Sequence, residues 1–133
     1  MRVLIFEPGY SPYIASFKNS AEAVAQTVQG ESKTLLPFDN EVIALVCSEQ
    51  QADLPLNRSI NEQTAVRGRF LVCGWDGSGL RELTKKQADR YYRRYMYPET
   101  FVDTGSALLV VPQNPRVKPT DERLGKKKWL MER

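Results

Sequence analysis

A chain of 133 residues, 41% hydrophobic and 26% charged, is the size of one ordinary domain and apolar enough to bury a core without disulfide or metal staples. The formal net charge is +3 and there is no histidine, so a Ser-His-Asp or Cys-His arrangement cannot be built within the chain. Two cysteines and no imidazole also leave too few ligands for an ordinary zinc site, and neither a metal nor a cofactor is expected.

The chain opens on Val3 to Phe6, apolar at consecutive positions as in a strand covered on both faces. The run breaks after four residues, too short for a signal-peptide core, and no stretch approaches the roughly 20 apolar residues that span a bilayer. The expectation is a cytoplasmic protein without a membrane role. Tyr13 to Phe17 reads as a second short strand. Asn19, with Glu22 three residues on, then reads as the start of a helix that buries Ala21, Val24, Ala25 and Val28 and ends at Gly30.

Ser32 to Leu36 and Val42 to Cys47 are the next predicted strands. From Ser48 to Arg67 the chain turns polar and is expected to form a long loop with a short ordered segment, of the kind that often carries function. Phe70 to Cys73 is a further strand, and Asp76-Gly77 marks a turn after it. Gly74 to Gly79 lacks the lysine of a phosphate-binding loop, so the turn explains its glycines. Thr84 and Gln87 form a capping box for a second helix that is expected to run to about Tyr97, before Pro98. Ala107 to Val111 is the last predicted strand. Cys47 and Cys73 both sit in apolar runs and read as buried, reduced thiols.

Beyond Pro112 the composition changes. Residues 112–133 carry seven Lys or Arg against three Asp or Glu, a net of +4, and three prolines. The organisation expected is one α+β domain over 1–111 and a flexible basic tail over 112–133. The fold expected is two-layered: a mixed, largely antiparallel sheet of about five strands with two helices packed on it.

Candidate chemistry gathers in three places. On the second helix, Lys86, Arg90, Arg93, Arg94 and Tyr97 fall on one side at 100° per residue, a basic stripe ending in an aromatic that suits phosphates. The alternative is a solvated face, partly neutralised by Glu82–Lys86 and Asp89–Arg93 pairs. In the polar loop, Asn57 and Arg58 form the second candidate. Arg58 either grips a planar oxyanion through two parallel bonds or ties down its own loop through backbone carbonyls. In the tail, Lys126, Lys127, Lys128 and Trp129 either track a phosphate backbone or belong to a solubilising terminus.

Taken together, Val3 to Gly9, Val28 to Gly30, Leu35 to Asp39, Leu54 to Arg58, Gly68 to Val72 and Leu83 to Gln87 resemble, in order, the family called domain of unknown function 3846. The resemblance implies no activity. It implies a setting among accessory proteins of gut bacteria, plasmids and phages, where small binders that interfere with host machinery are common. The functional expectation is a non-enzymatic binding protein of a phage or mobile element. It would engage an anionic target (nucleic acid, nucleotide or acidic host protein), with counter-defence as the most specific form. The rivals are a small enzyme acting on a phosphorylated ligand through Glu7 or Asp76 with Arg58, and a structural protein that binds its own copies.

Overall fold

A computed structural model describes residues 1–38 and 42–116. In chain order the elements are β1 (Arg2–Phe6), β2 (Tyr13–Ser16), α1 (Ala21–Val28), β3 (Ser32–Leu35), β4 (Ile43–Ser48) and β5 (Leu56–Ser59). There follow β6 (Ala65–Arg67), β7 (Phe70–Trp75), β8 (Leu80–Arg81), α2 (Lys85–Arg94), β9 (Glu99–Asp103) and β10 (Leu108–Pro112). The main sheet runs β2-β1-β7-β4-β3, with β8 paired to β7. Every paired strand is antiparallel; the sole parallel pairing among the described residues is an isolated bridge between Tyr10 and Arg116. The fold is α+β, as its sequence pattern indicates.

The layering differs from the two layers expected. Successive side chains on a strand point to opposite faces, and both faces of this sheet are apolar and covered. Val3, Ile5, Ala44, Val46, Leu71 and Cys73 pack with Val24 and Val28 of α1. Leu4, Phe6, Leu45, Phe70 and Val72 pack with Ala88, Tyr91 and Tyr95 on the α2 side. One helix per face makes three layers, which explains why β4 is buried along its whole length and reads as an unbroken apolar run. Full burial of a side chain such as Leu45 or Phe70 contributes on the order of 1.5–3 kcal/mol.

Capping explains where the helices begin and end. The α1 N-cap is Ser20, whose hydroxyl accepts from the Ala23 amide at 3.1 Å, and not Asn19, whose side chain is turned to the Leu80 carbonyl. The helix closes through Gln29 in the left-handed region (φ 63°), one residue before the glycine expected there. Thr84 and Gln87 form the expected capping box of α2, at 3.1 and 2.9 Å. That helix ends at Arg94, with Tyr95 as its cap, short of the expected Tyr97.

The polar stretch 48–67 holds a β5–β6 hairpin, whose Val66, with Ile60 beside it, extends the α2-side core. Past α2 the chain forms a β9–β10 hairpin as a separate two-stranded sheet, with β9 set against β5. The expected tail begins too early at residue 112. Arg116 N–H donates to the Gly9 carbonyl at 3.0 Å, and the Arg116 carbonyl accepts from the Ser11 amide at 2.7 Å. Residues 113–116 therefore fold back onto the turn after β1. Lys126, Lys127, Lys128 and Trp129 lie outside the described residues. Among the described residues no helix is long and apolar enough to cross a membrane.

Candidate functional site

The two nominated residues of the polar stretch are structural. Asn57 is fully buried; its amide donates to the Phe6 carbonyl at 3.0 Å and to the Gly68 carbonyl at 2.7 Å. Arg58 is 1% exposed. Its Nε donates to the Tyr95 carbonyl at 2.8 Å, and Nη2 to the carbonyls of Tyr10 at 2.6 Å and Met96 at 3.2 Å. Nη1 donates to Asn57 Oδ1 at 2.6 Å and to the Glu7 carbonyl at 3.4 Å. A guanidinium has five N–H donors, and five acceptors meet this one. Of the two readings open for Arg58, the geometry favours the tie to its own backbone, and the oxyanion grip gives way: no donor is left to offer.

The Arg58 guanidinium also lies 5.3 Å from the Phe6 ring centroid. Burial pulls its pKa down to about 9, and the Glu99 carboxylate pushes it back up, so the group is cationic at neutral pH. Glu99 does not pair with it directly; its carboxylate accepts a hydrogen bond from the Ser59 amide. The buried charge is thus met mainly by carbonyl dipoles. That places it at the junction of the turn after β1, strand β5 and the end of α2.

The basic face of α2 is a different case. Lys86, Arg90, Arg93 and Arg94 are all exposed, while Ala88, Tyr91 and Tyr95 on the opposite side are buried. From Lys85 to Arg94 there are five cations and one acid, Asp89, for a net of +4. Arg93 pairs with Asp89 at 3.2 Å, both side chains largely in solvent, a contact worth a few tenths of a kcal/mol. Arg94 lies 5.1 Å from the Tyr95 ring centroid and 6.0 Å from that of Phe38. Lys86 and Arg90 enter no ion pair among the described residues. Tyr97 is 57% exposed, but it lies past the helix end. There it lines an open cleft of about 440 Å³ with Pro112, Gln113 and Asn114. The structure therefore keeps four cations together and moves the aromatic off their helix.

Sequence reasoning passed over Glu99, Arg67 and Arg116. Arg116 stacks 4.3 Å from the Tyr10 ring centroid and, with Glu99, Phe101 and Gly9, lines a second open cleft of about 390 Å³. Arg67 lies 5.2 Å from the Phe101 ring centroid. No local pattern marks these residues, because their neighbours come from strands far apart in the chain.

Of the two carboxylates in the enzymatic alternative, Glu7 is brought beside Arg58, which donates to its backbone carbonyl at 3.4 Å, and Asp76 is not. Glu7 follows β1 and is paired with Arg69 at 3.5 Å, whereas Asp76 follows β7, which runs antiparallel to β1. They sit at opposite ends of the sheet. Asp76 caps its own turn through Ser78 and Gly79 and pairs with Arg81. Burial raises both thiols, Cys73 to about 12, which makes them poor nucleophiles. Among the described residues no group of three His, Cys, Asp or Glu side chains is placed to hold a metal ion.

The sequence profile of domain of unknown function 3846 (DUF3846) matches residues 1–96. The chain belongs to that family. The DUF3846 match ends at Met96, so it takes in Arg58 and both α2-terminal carbonyls that Arg58 holds, and it leaves the β9–β10 hairpin outside. No curated protein and no solved structure matches the chain.

Proposed function

We propose that this DUF3846 protein is a non-enzymatic binding module that engages an anionic partner through the outer face of α2. Lys86, Arg90, Arg93 and Arg94 are the contact cations. The observation that carries the reading is the placement of charge against the helix dipole. The first turn of α2 holds Lys85 and Lys86 and no acid, although cations there are disfavoured by about 0.3–1 kcal/mol each and acids favoured by as much. A face maintained for helix stability alone would carry the opposite sign at that end.

The shape of the face narrows the partner. It is convex and solvent-exposed, whereas a nucleotide needs a concave pocket that buries most of its surface. An extended polyanion, meaning a nucleic-acid backbone or an acidic protein surface, fits a helix face better. Arg58 enters this reading as the side chain that fixes the end of α2 and not as a ligand contact. Blocking or sequestering a host factor on behalf of a phage or mobile element is the setting the family resemblance suggests for such a binder.

Fluorescence anisotropy of a labelled DNA duplex, titrated at several salt concentrations, tests the proposal. Four phosphate contacts predict a log–log slope near −3.6, or about a 150-fold loss of affinity between 50 and 200 mM salt. Replacing Arg90 by Ala should reduce the slope by about one contact. A flat salt response removes nucleic acid, and poly-glutamate in the same assay tests the acidic-protein form.

A further inference from the structure

Among the described residues, the β9–β10 hairpin has one flank against the body and one flank open. Its β9 strand lies beside β5, where the Glu99 carboxylate takes the Ser59 amide. Among the described residues β10 pairs with β9 alone. Leu108, Leu109 and Val110 are 63%, 47% and 45% exposed. Folded proteins ordinarily protect such an edge with a charge, a mid-strand proline or a bulge. Here the strand is Leu-Leu-Val-Val-Pro, uncharged, in unbroken register with β9, and with its proline at the last position.

Its backbone directions follow from the register. The Gln113 amide donates inward to Pro98 and the Ala107 carbonyl accepts inward from Thr104, so residues 107, 109, 111 and 113 face β9. Leu108, Val110 and Pro112 consequently turn their backbone groups outward, since alternate residues of an antiparallel strand point to opposite sides. The open edge offers two donors, from Leu108 and Val110, and three acceptors, from Leu108, Val110 and Pro112.

We propose that β10 is a self-complementary docking edge through which two copies of the chain pair antiparallel about a two-fold axis at Val110. In that register Val110 faces its own copy and the two exchange a pair of hydrogen bonds. Each Leu108 amide meets the Pro112 carbonyl of the other copy, so the missing proline N–H falls where no donor is needed. All four outward donors of the two strands are used. An isologous contact brings identical residues together, which an edge bearing a lysine or a glutamate would oppose and this uncharged strand does not. Leu108 packs beside Pro112 of the second copy on one face and Leu109 beside Val111 on the other. The contact joins two hairpins only, a small interface, so association is reversible and in the micromolar range.

Sedimentation of the full chain from about 1 μM to 1 mM tests this, with a monomer–dimer equilibrium expected. Val110→Lys sets like charges directly opposite across the axis and should weaken the dimer at least tenfold. Leu36→Lys, at another exposed apolar side chain, should leave it unchanged. Val110→Cys should form an intermolecular disulfide on oxidation, because facing hydrogen-bonded residues lie about 5.5 Å apart, within disulfide reach. Leu108→Cys should not, being offset from its own copy by roughly 13 Å. A monomer at every concentration, a dimer indifferent to Val110→Lys, or equal cross-linking at positions 108 and 110 would each overturn the proposal. The cross-linking arm stands even if the lysine variant folds poorly.

Discussion

Arg58 reaches thirty-seven residues along the chain to bond the Tyr95 carbonyl at 2.8 Å, and Tyr95 is the residue that caps α2. The same guanidinium holds the Met96 and Tyr10 carbonyls. Replacing it by Ala orphans these buried acceptors, each worth on the order of 1–3 kcal/mol, while relieving the desolvation of the charge itself. The expected net loss is about 3 kcal/mol, read from urea unfolding. Arg58→Lys should recover little of it, because an ammonium has three donors and no planar fork. A stable Arg58→Ala protein that has lost only anion binding would return Arg58 to the ligand site.

Lys86 should trade stability against binding. Substitution by Glu places an anion in the first turn of α2, beside the Thr84–Gln87 capping box, where the dipole favours it by about 0.5 kcal/mol. The melting temperature should rise by a few degrees while affinity for a polyanion falls. A lower melting temperature for Lys86→Glu would mean that Lys86 does not oppose the α2 dipole.

What the sequence made legible follows from what is local. The capping box of α2, the apolar runs of β1, β4 and β7, and the buried side of α2 depend on residues a few positions apart. The polar stretch misled because its order comes from Asn57 and Arg58 bonding to Phe6, Tyr10 and Tyr95, partners whose proximity only the folded chain reveals. An arginine gripping an oxyanion and an arginine gripping carbonyls have the same sequence signature. The α1 start slipped by one residue because Asn19 and Ser20 are both good caps, and the contact with Leu80 decides between them. β9 was missed because Glu99 to Asp103 is half polar and draws its pairing from β10.

Two glycines near the β7–β8 turn should respond to alanine for different reasons. A Cβ at Gly74 would lie 2.9 Å from the Glu82 carbonyl oxygen and 3.0 Å from that of Arg81. Both are backbone atoms of the paired strand region, so the sheet must shift, at a cost of about 1–3 kcal/mol. At Gly77 nothing lies within 4 Å, but φ is +93°, and the left-handed strain alone costs about 1–2 kcal/mol. Thermal unfolding should therefore rank Gly74→Ala as the more damaging. The reverse order would mean that the sheet yields to the added methyl.

The buried thiols predict an alkaline limit on stability. Cys73 is held up to about 12 by burial, and Cys47 is raised for the same reason with Lys33 opposing. In the unfolded chain both return to about 8.5. Between that value and the folded one, the unfolded state has released protons that the native state keeps. Protons bound in the unfolded state are then fewer, and stability falls as pH rises. The contribution is fully present below about pH 8 and declines above it, by up to about 1.4 kcal/mol per pH unit for each thiol. Tyr13, Tyr91 and Tyr95 are also raised by burial and add to the slope above pH 10. Arg58, pulled down to about 9 by burial, opposes this decline above that pH, so urea midpoints should fall between about pH 8 and 9, and Cys73→Ala should flatten that fall while lowering the plateau through the cavity it leaves. Neither native thiol should react with a disulfide reagent at pH 7.5 until the protein is unfolded. Fast reaction of both in the native state would show that the two faces of the sheet are not sealed by α1 and α2.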